Sequence, residues 1–316
     1  MIGRQHPRSS TIIELLVASA RLYRNNFLPF ILITALALVP YNLLTFVLAD
    51  STTPLSMEEL ISGVLRGVQR PNGGGWPGLI YNVFVQPIMY GTLVLTAAQC
   101  YRQQTVSIGS NFEAARGRWI TLLGVAFQKW LFWLAVYLVG VVISFLVWLP
   151  LGILIPDDWY IRYLSSGVLT RIGDGLRMLV PACASVLLIV AAHIVLLEDR
   201  YASDSIARSW RLTKHSWWHT ATFAGVVLLL QFGLPALMVG AAMAGLTGLG
   251  LHAQLVSALQ MALVTLAQIV ALPFSFIAHT LLFFDLRIRS QSFDPEQDDP
   301  FATGWNDDQY PSWLNA

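Results

Sequence analysis

The chain has 316 residues, 55% of them hydrophobic and only 12% charged, with a mean hydropathy of +0.60. That is about half the charge of an ordinary soluble domain, and more apolar surface than one globular core can hide, so the class is an all-α polytopic membrane protein. The net charge of +1 argues neither for nor against nucleic acid, which is not among the expected partners.

The first twenty residues, MIGRQHPRSSTIIELLVASA, imitate a secretory signal, with basic residues, an apolar run and a small-x-small Ala18-Ser19-Ala20. Glu14 cuts the apolar run short of a usual signal core, so the segment is expected to be retained. Thr11 and Glu14 have the spacing of a capping box, which starts a helix here. Six stretches of about 20 apolar residues follow, the length that crosses a hydrocarbon core. They cover residues 27–48, 79–100, 130–152, 178–197, 220–244 and 261–284. Proline recurs within them (Pro29, Pro40, Pro87, Pro150, Pro235, Pro273), and membrane helices tolerate it as kinks. From Ile120 to Ile155 the chain is apolar except for Gln128 and Lys129. One helix over that range would be about 54 Å long, against a core of roughly 30 Å. A lysine at the bilayer centre costs about 3 kcal/mol. Lys129 is therefore placed near the headgroups and the third span is started at Trp130.

Fourteen of the Lys and Arg residues fall on the side that holds the N-terminus and residues 101–129, 198–217 and 285–290; five fall on the other. By the positive-inside rule both termini are cytoplasmic in a plasma-membrane protein.

Residues 205–218, SIARSWRLTKHSWW, carry three Trp and three Lys or Arg. As a helix they place Ile206, Trp210, Thr213 and Trp217 on one stripe, opposite Arg208, Arg211 and His215, with Ser203 or Asp204 as N-cap. Such a helix suits a membrane surface, with its Trp rings at the headgroups and its cations facing anionic lipid. Arg21-Leu22-Tyr23-Arg24-Asn25-Asn26-Phe27 matches Arg211 to Trp217 in basic and aromatic character, and Glu113 to Trp119, with Arg116 and Arg118, is a weaker copy between them. The alternative is that any loop entering a membrane carries Arg and an aromatic. The copies begin 92 and 98 residues apart, and each precedes two spans. We read residues 1–290 as one membrane domain of three units, about 11–100, 110–197 and 203–286. Each unit is an amphipathic cytoplasmic helix followed by a hairpin.

VLLEDRYASDSIARSWRLTKHSWW, with FFDLRIRSQSFD downstream, resembles the membrane domain family named after glycerophosphoryl diester phosphodiesterases. The likeness rests on the acidic Leu197-Glu198-Asp199, on Ala207, Ser209, Trp210 and Leu212, and on Phe284, Asp285, Leu286, Arg287, Arg289, Phe293 and Asp294. The opening ELL and LYRNNF are also similar, so that it covers roughly 11–294. It implies a stand-alone membrane domain without the family's catalytic part. No soluble stretch here could hold a phosphodiesterase barrel of about 250 residues. Nor is there a P-loop, HExxH, GxSxG or metal-spaced cysteine set; Cys100 and Cys183 sit apart in apolar surroundings and Gly73-Gly74-Gly75 reads as a flexible turn. No enzyme activity, cofactor or metal is expected.

Ionisable groups within spans are functional by default, which directs attention to His193 and His279. The bland alternative, preferred here, is a neutral imidazole bonded across helices to Gln231, Gln260, Gln268 or a hydroxyl. Asn82, Gln86 and Gln99 are read in the same way, as interhelical glue. Asp285, Arg287 and Arg289 at the membrane edge read as a structural lock, in which Asp285 pairs with an arginine of an amphipathic helix; Glu198 and Asp199 do the same from the fourth span. The tail 291–316 has six acidic residues and no basic one, a composition of disorder. It either folds back onto the basic helices or binds a partner. The preferred reading of function is a non-enzymatic scaffold or lipid-interacting module. Arg21, Arg24, Arg116, Arg118, Arg208, Trp210, Arg211, Lys214 and Trp217 would face anionic lipid or a protein partner. The alternative is a transporter or channel for a small solute through the kinked, Gln-containing spans, which a polar cavity within the membrane would favour.

Overall fold

The structure, a computed structural model, describes residues 10–48, 76–154, 181, 183–247 and 252–293. Expectations for the basic residues Arg4 and Arg8, the Gly73 turn, the 155–180 connection and the acidic tail from Asp294 onward lie outside the described residues. Among the described residues every element is helical. The chain is an all-α membrane protein, and among the described residues five helices are long and apolar enough to cross a bilayer.

Helix α1 (Ile12–Asn25) starts at the capping box, in which the Thr11 hydroxyl accepts from Glu14 N–H while the Glu14 carboxylate accepts from Thr11 N–H at 2.7 Å. A single-residue break at Asn26 leads into α2 (Phe27–Leu48). Helix α3 (Trp76–Tyr101) contains a π-turn over Tyr81–Val85. Helix α4 (Ile108–Gly117) is short and, after a break at Arg118, gives way to α5 (Trp119–Leu154). Helix α6 (Ala191–Leu197) follows a 3₁₀ turn at Val186–Leu188. Helix α7 (Ala202–Lys214) leads to α8, which comprises Trp217–Leu228, a π-turn at Leu229–Gly233, and Leu234–Thr247. Helix α9 (Ala253–Phe293) is the longest.

Two expectations need correction. The third helix starts at Trp119, not Trp130, so Lys129 lies ten residues inside it, about 15 Å along its axis. The continuous apolar run lets the helix propagate through the lysine. The fourth predicted span is interrupted within its described part, Cys183–Leu197, by a 3₁₀ turn at Val186–Leu188.

The short helices share one placement. Helix α4 folds back along α3, where Asn111 Nδ2 donates to Gln99 Oε1 (2.8 Å) and Thr96 Oγ1 (3.1 Å), and Gln99 Nε2 returns a bond to Asn111 Oδ1 (2.9 Å). Helix α7 folds back along the α6 segment, with the Ser209 hydroxyl donating to Leu187 O at 2.9 Å and Trp217 Nε1 to Cys183 O at 3.3 Å. Helix α1 lies along α9, from Ser10 beside Asp285 to Tyr23, whose hydroxyl donates to Val270 O at 2.8 Å. Each short helix therefore packs on an element outside its own hairpin, and α1 on α9 joins the beginning of the described chain to its end. Ser19, Asn111 and Ser209 are buried at matching positions of α1, α4 and α7, and the helices after the breaks start at Phe27, Trp119 and Trp217. The central core draws on α3, the α6 segment and α9 through Leu93, Ala97, Val190, Ile194, Ile277 and Leu281.

The turns out of α3 and α6 are alike. Gln103 (φ 55°) and Asp199 (φ 56°) each stand two residues past the helix end in the left-handed region, which lets the chain reverse into the next short helix. At Gly91 a Cβ would stand 2.8 Å from the Ala115 Cβ, so the close approach of α4 to α3 needs glycine there.

Candidate functional site

Most of the sequence-predicted site residues lie at the end of the bundle where the short helices meet the long ones. Arg21, Arg24, Arg116, Arg211 and Lys214 are exposed. Arg118 instead turns inward, pairing with the Asp199 carboxylate and donating from Nη1 to Val195 O at 3.1 Å, a carbonyl of the last turn of α6. Its hydrogen bond holds the Asp199 carboxyl below the ordinary carboxylate range. Arg208 is also turned in, 3.6 Å from Glu198, which Arg200 reaches at 3.3 Å. The acids at the end of α6 thus pair with Arg118 of their own unit, with Arg200 beside them in the chain and with Arg208 of the third unit.

Of the stripe predicted for 205–218 to lie at the membrane surface, Trp210 is exposed and Thr213 is buried. Helix α7 buries Ser205, Ser209, Leu212 and Thr213, whereas Trp210 is 43% exposed and meets only the edge of Phe132. Small hydroxyl residues let α7 approach the α6 segment, where Ser209 and Thr213 both donate to Leu187 O. The helix starts after Tyr201 with no side-chain cap, so neither Ser203 nor Asp204 is its N-cap.

Asp285 is 3% exposed, and its partners differ from those expected. Its Oδ1 accepts from Ser10 N–H at 2.7 Å, its Oδ2 accepts from Arg289 Nε at 2.7 Å, and His219 Nε2 stands 3.3 Å from Oδ2. Arg289 Nη2 donates to Ser10 O at 2.6 Å, so Arg289 and Asp285 together grip the residue before the α1 capping box. The partners are a backbone N–H, an arginine of its own helix and His219, not an arginine of a short helix. Arg287 is buried beside Arg102; burial first, and that second guanidinium next, pull the Arg102 pKa down from its ordinary value.

A second place went unrecognised in the sequence. Tyr81, Asn82 and Gln86 of α3, Gln231 of α8 and Gln268 of α9 line a cavity of about 90 Å³ with Tyr90 and an apolar wall that includes Leu38, Phe232 and Val239. At about 10–15 Å³ for each water, it has room for several waters or one small solute. Gln231 is fourteen residues into α8, about 21 Å from its start, so the cavity lies well inside the membrane-spanning length. The Gln86 amide donates to the Tyr90 hydroxyl at 2.7 Å, and the Tyr41 and Tyr81 rings lie with centroids 4.2 Å apart, tilted by 30°, beside the cavity. Both π-turns border it. Pro87 and Pro235 lack the N–H that would bond the carbonyls of Val83 and Gln231, and their rings crowd those carbonyls. The extra residue of each π-turn absorbs the mismatch, and such turns are frequent at functional sites. The signal was present in the sequence as an amide close to a proline in two different spans.

His193 also departs from expectation. It is 4% exposed, and neither ring nitrogen has a hydrogen-bond partner; nor has His279 Nε2. The glutamines expected to satisfy them, Gln231 and Gln268, line the cavity instead. Among the described residues, no group of His, Cys, Asp and Glu has an arrangement that would hold a metal ion.

No protein-family model, curated protein or solved structure matches the chain.

Proposed function

We propose that the protein is a membrane carrier or channel for a small uncharged polar solute, which binds in the amide-lined cavity between α2, α3, α8 and α9. The observation that carries this reading is the cavity itself, since carboxamides and phenols at that depth offer hydrogen bonds without the cost of a buried charge. Paired π-turns at its wall match the use of interrupted helices around binding sites within membranes. Ligands that fit are neutral, with a few donors and acceptors, in the size range of urea or glycerol. The test is solute-driven swelling of proteoliposomes followed by light scattering. Entry of such a solute faster than in protein-free vesicles, lost in Gln231→Leu and Gln268→Leu, is the expected result. Rates equal to those of empty vesicles across a panel of neutral solutes would end the proposal.

The surface-module reading keeps one supporting observation, the exposed Arg21, Arg24, Arg116, Arg211 and Lys214 at one end of the bundle. With that end cytoplasmic, these residues meet anionic lipid, each worth about 1 kcal/mol. Anionic lipid retained in native mass spectrometry and released by Arg211→Gln with Lys214→Gln would support it. Arg208 is a poor choice for that experiment, because it is already held by Glu198. The resemblance to the glycerophosphoryl diester phosphodiesterase membrane domain family accords with either reading, and neither assigns the chain a reaction.

A further inference from the structure

Two side chains of the amide-lined cavity are bonded to each other, and what that bond leaves free discriminates among neutral solutes. The π-turn of α3 closes with Gln86 N–H donating to Tyr81 O, from one residue to the fifth before it. In a regular α-helix residues five apart stand about 140° from one another; the wider π-turn brings them closer to one line. Tyr81, Gln86 and, one turn on, Tyr90 all line the cavity. Gln86 Nε2 donates to the Tyr90 hydroxyl oxygen at 2.7 Å. That bond occupies neither the carbonyl oxygen of Gln86 nor the hydroxyl hydrogen of Tyr90, so an acceptor and a donor are left side by side. Exchanging the oxygen and nitrogen of the Gln86 amide would leave the same complement, one donor and one acceptor.

We infer that the solute is a small carboxamide or urea, which the Gln86–Tyr90 pair holds by one edge. The inference rests on the carrier or channel reading and narrows its substrate. In a primary amide the C=O and one N–H lie on the same edge of a rigid plane. The N–H donates to Gln86 Oε1, and the C=O accepts from the Tyr90 hydroxyl. A polyol carries its hydroxyls on rotatable bonds and loses freedom for each one that is fixed. Asn82, Gln231 and Gln268 line the same space and offer the matching amide edge to the solute's remaining N–H groups. The apolar wall, with Leu38, Pro235 and Val239, takes a methyl group, so acetamide fits as well as urea. Among the described residues that line the cavity none is charged, so the corresponding amine or acid would enter without a counter-charge.

The experiment compares entry of urea, acetamide and glycerol into proteoliposomes, each corrected for entry into protein-free vesicles. The expected result is that urea and acetamide enter faster than glycerol. In Tyr90→Phe and in Gln86→Met the ratio of urea to glycerol entry should fall at least about tenfold, the effect of losing one hydrogen bond. Both changes remove polar atoms and keep the bulk of the side chain, and Tyr90→Phe retains the ring that lies 4.5 Å from Phe276. Should the variants fail to fold, competition in the unaltered protein decides the same question. Acetamide should slow urea entry, whereas N,N-dimethylacetamide, which keeps the C=O and has no N–H, should not. An unchanged ratio in both folded variants, or equal competition by the two amides, would overturn the inference and leave the carrier or channel reading standing. Entry of all three solutes no faster than into protein-free vesicles would overturn both.

Discussion

Replacing Asp285 should detach α1 from α9 while the spans stay folded. In Asp285→Ala, Ser10 N–H and Arg289 Nε each lose a charge-assisted bond of 2.7 Å at a carboxylate that is 3% exposed. Such bonds are worth about 1.5–3 kcal/mol each, and breaking one side of a buried ion pair costs about 3–5 kcal/mol. Taking about 3 kcal/mol as the loss, local opening of α1 becomes about 100-fold more frequent. Asp285→Asn keeps an acceptor for Ser10 and loses the charge, so its effect should be nearer tenfold. Amide hydrogen exchange of the detergent-solubilised protein measures this directly. The amides of α1 should speed up by those factors, while those in the middle of α2 and α9 keep their protection. Unchanged exchange in α1 for Asp285→Ala would show that apolar packing of Leu15 and Leu22 holds the helix, and the reasoning from the carboxylate would fail.

Burial pushes the Tyr23 hydroxyl up to about 12, from an ordinary value near 10. Its contribution to stability is therefore complete below about pH 10 and is lost as pH rises toward 12. Thermal melting of Tyr23→Phe should lack the part of the alkaline decline shown by the unaltered protein over that interval. Gly91→Val should loosen α4 from α3 at a cost of about 1–3 kcal/mol, since its Cβ would meet Ala115; an unshifted melting temperature would contradict the close approach. Gln103→Gly should stabilise the turn after α3 by about 1 kcal/mol, because only glycine takes φ 55° without steric cost. A lowered melting point for that variant would refute the left-handed assignment.

The long helices were legible because hydrophobic runs of span length leave few alternatives, and the second span, 79–100, was misjudged by only a few residues against Trp76–Tyr101. The capping box at Thr11 was legible for the same reason, being local chemistry with a fixed spacing. The faces of the short helices were not. Hydrophobic periodicity put Ile206, Trp210, Thr213 and Trp217 on one stripe at the membrane surface and gave no sign of the inward face, on which Ser205 and Ser209 join Thr213. The turns at Gln103 and Asp199 escaped notice because neither is the glycine that usually marks a left-handed helix end. The pairing of Asp285 with Ser10 joins residues 275 positions apart through a backbone group, which no side-chain pattern records. The polar cavity needed four helices to be assembled before its amides could be seen to face one space.

The packing of α1 on α9 has a consequence for biosynthesis. Helix α1 emerges from the ribosome before the other described helices, and its docking partner α9 emerges after them. At about 5–20 residues per second, the more than 200 intervening residues keep α1 waiting for roughly 10–50 s. Throughout that interval Leu15, Leu22 and the Ser10 backbone lack their final neighbours, and the nascent protein must shelter them by other means. An amphipathic helix that caps itself at Thr11 and Glu14 can hold its shape on the lipid surface until α9 inserts. A chaperone or protease that patrols the membrane surface would encounter α1 in that interval, so the age of the molecule can be read from whether this one helix has docked.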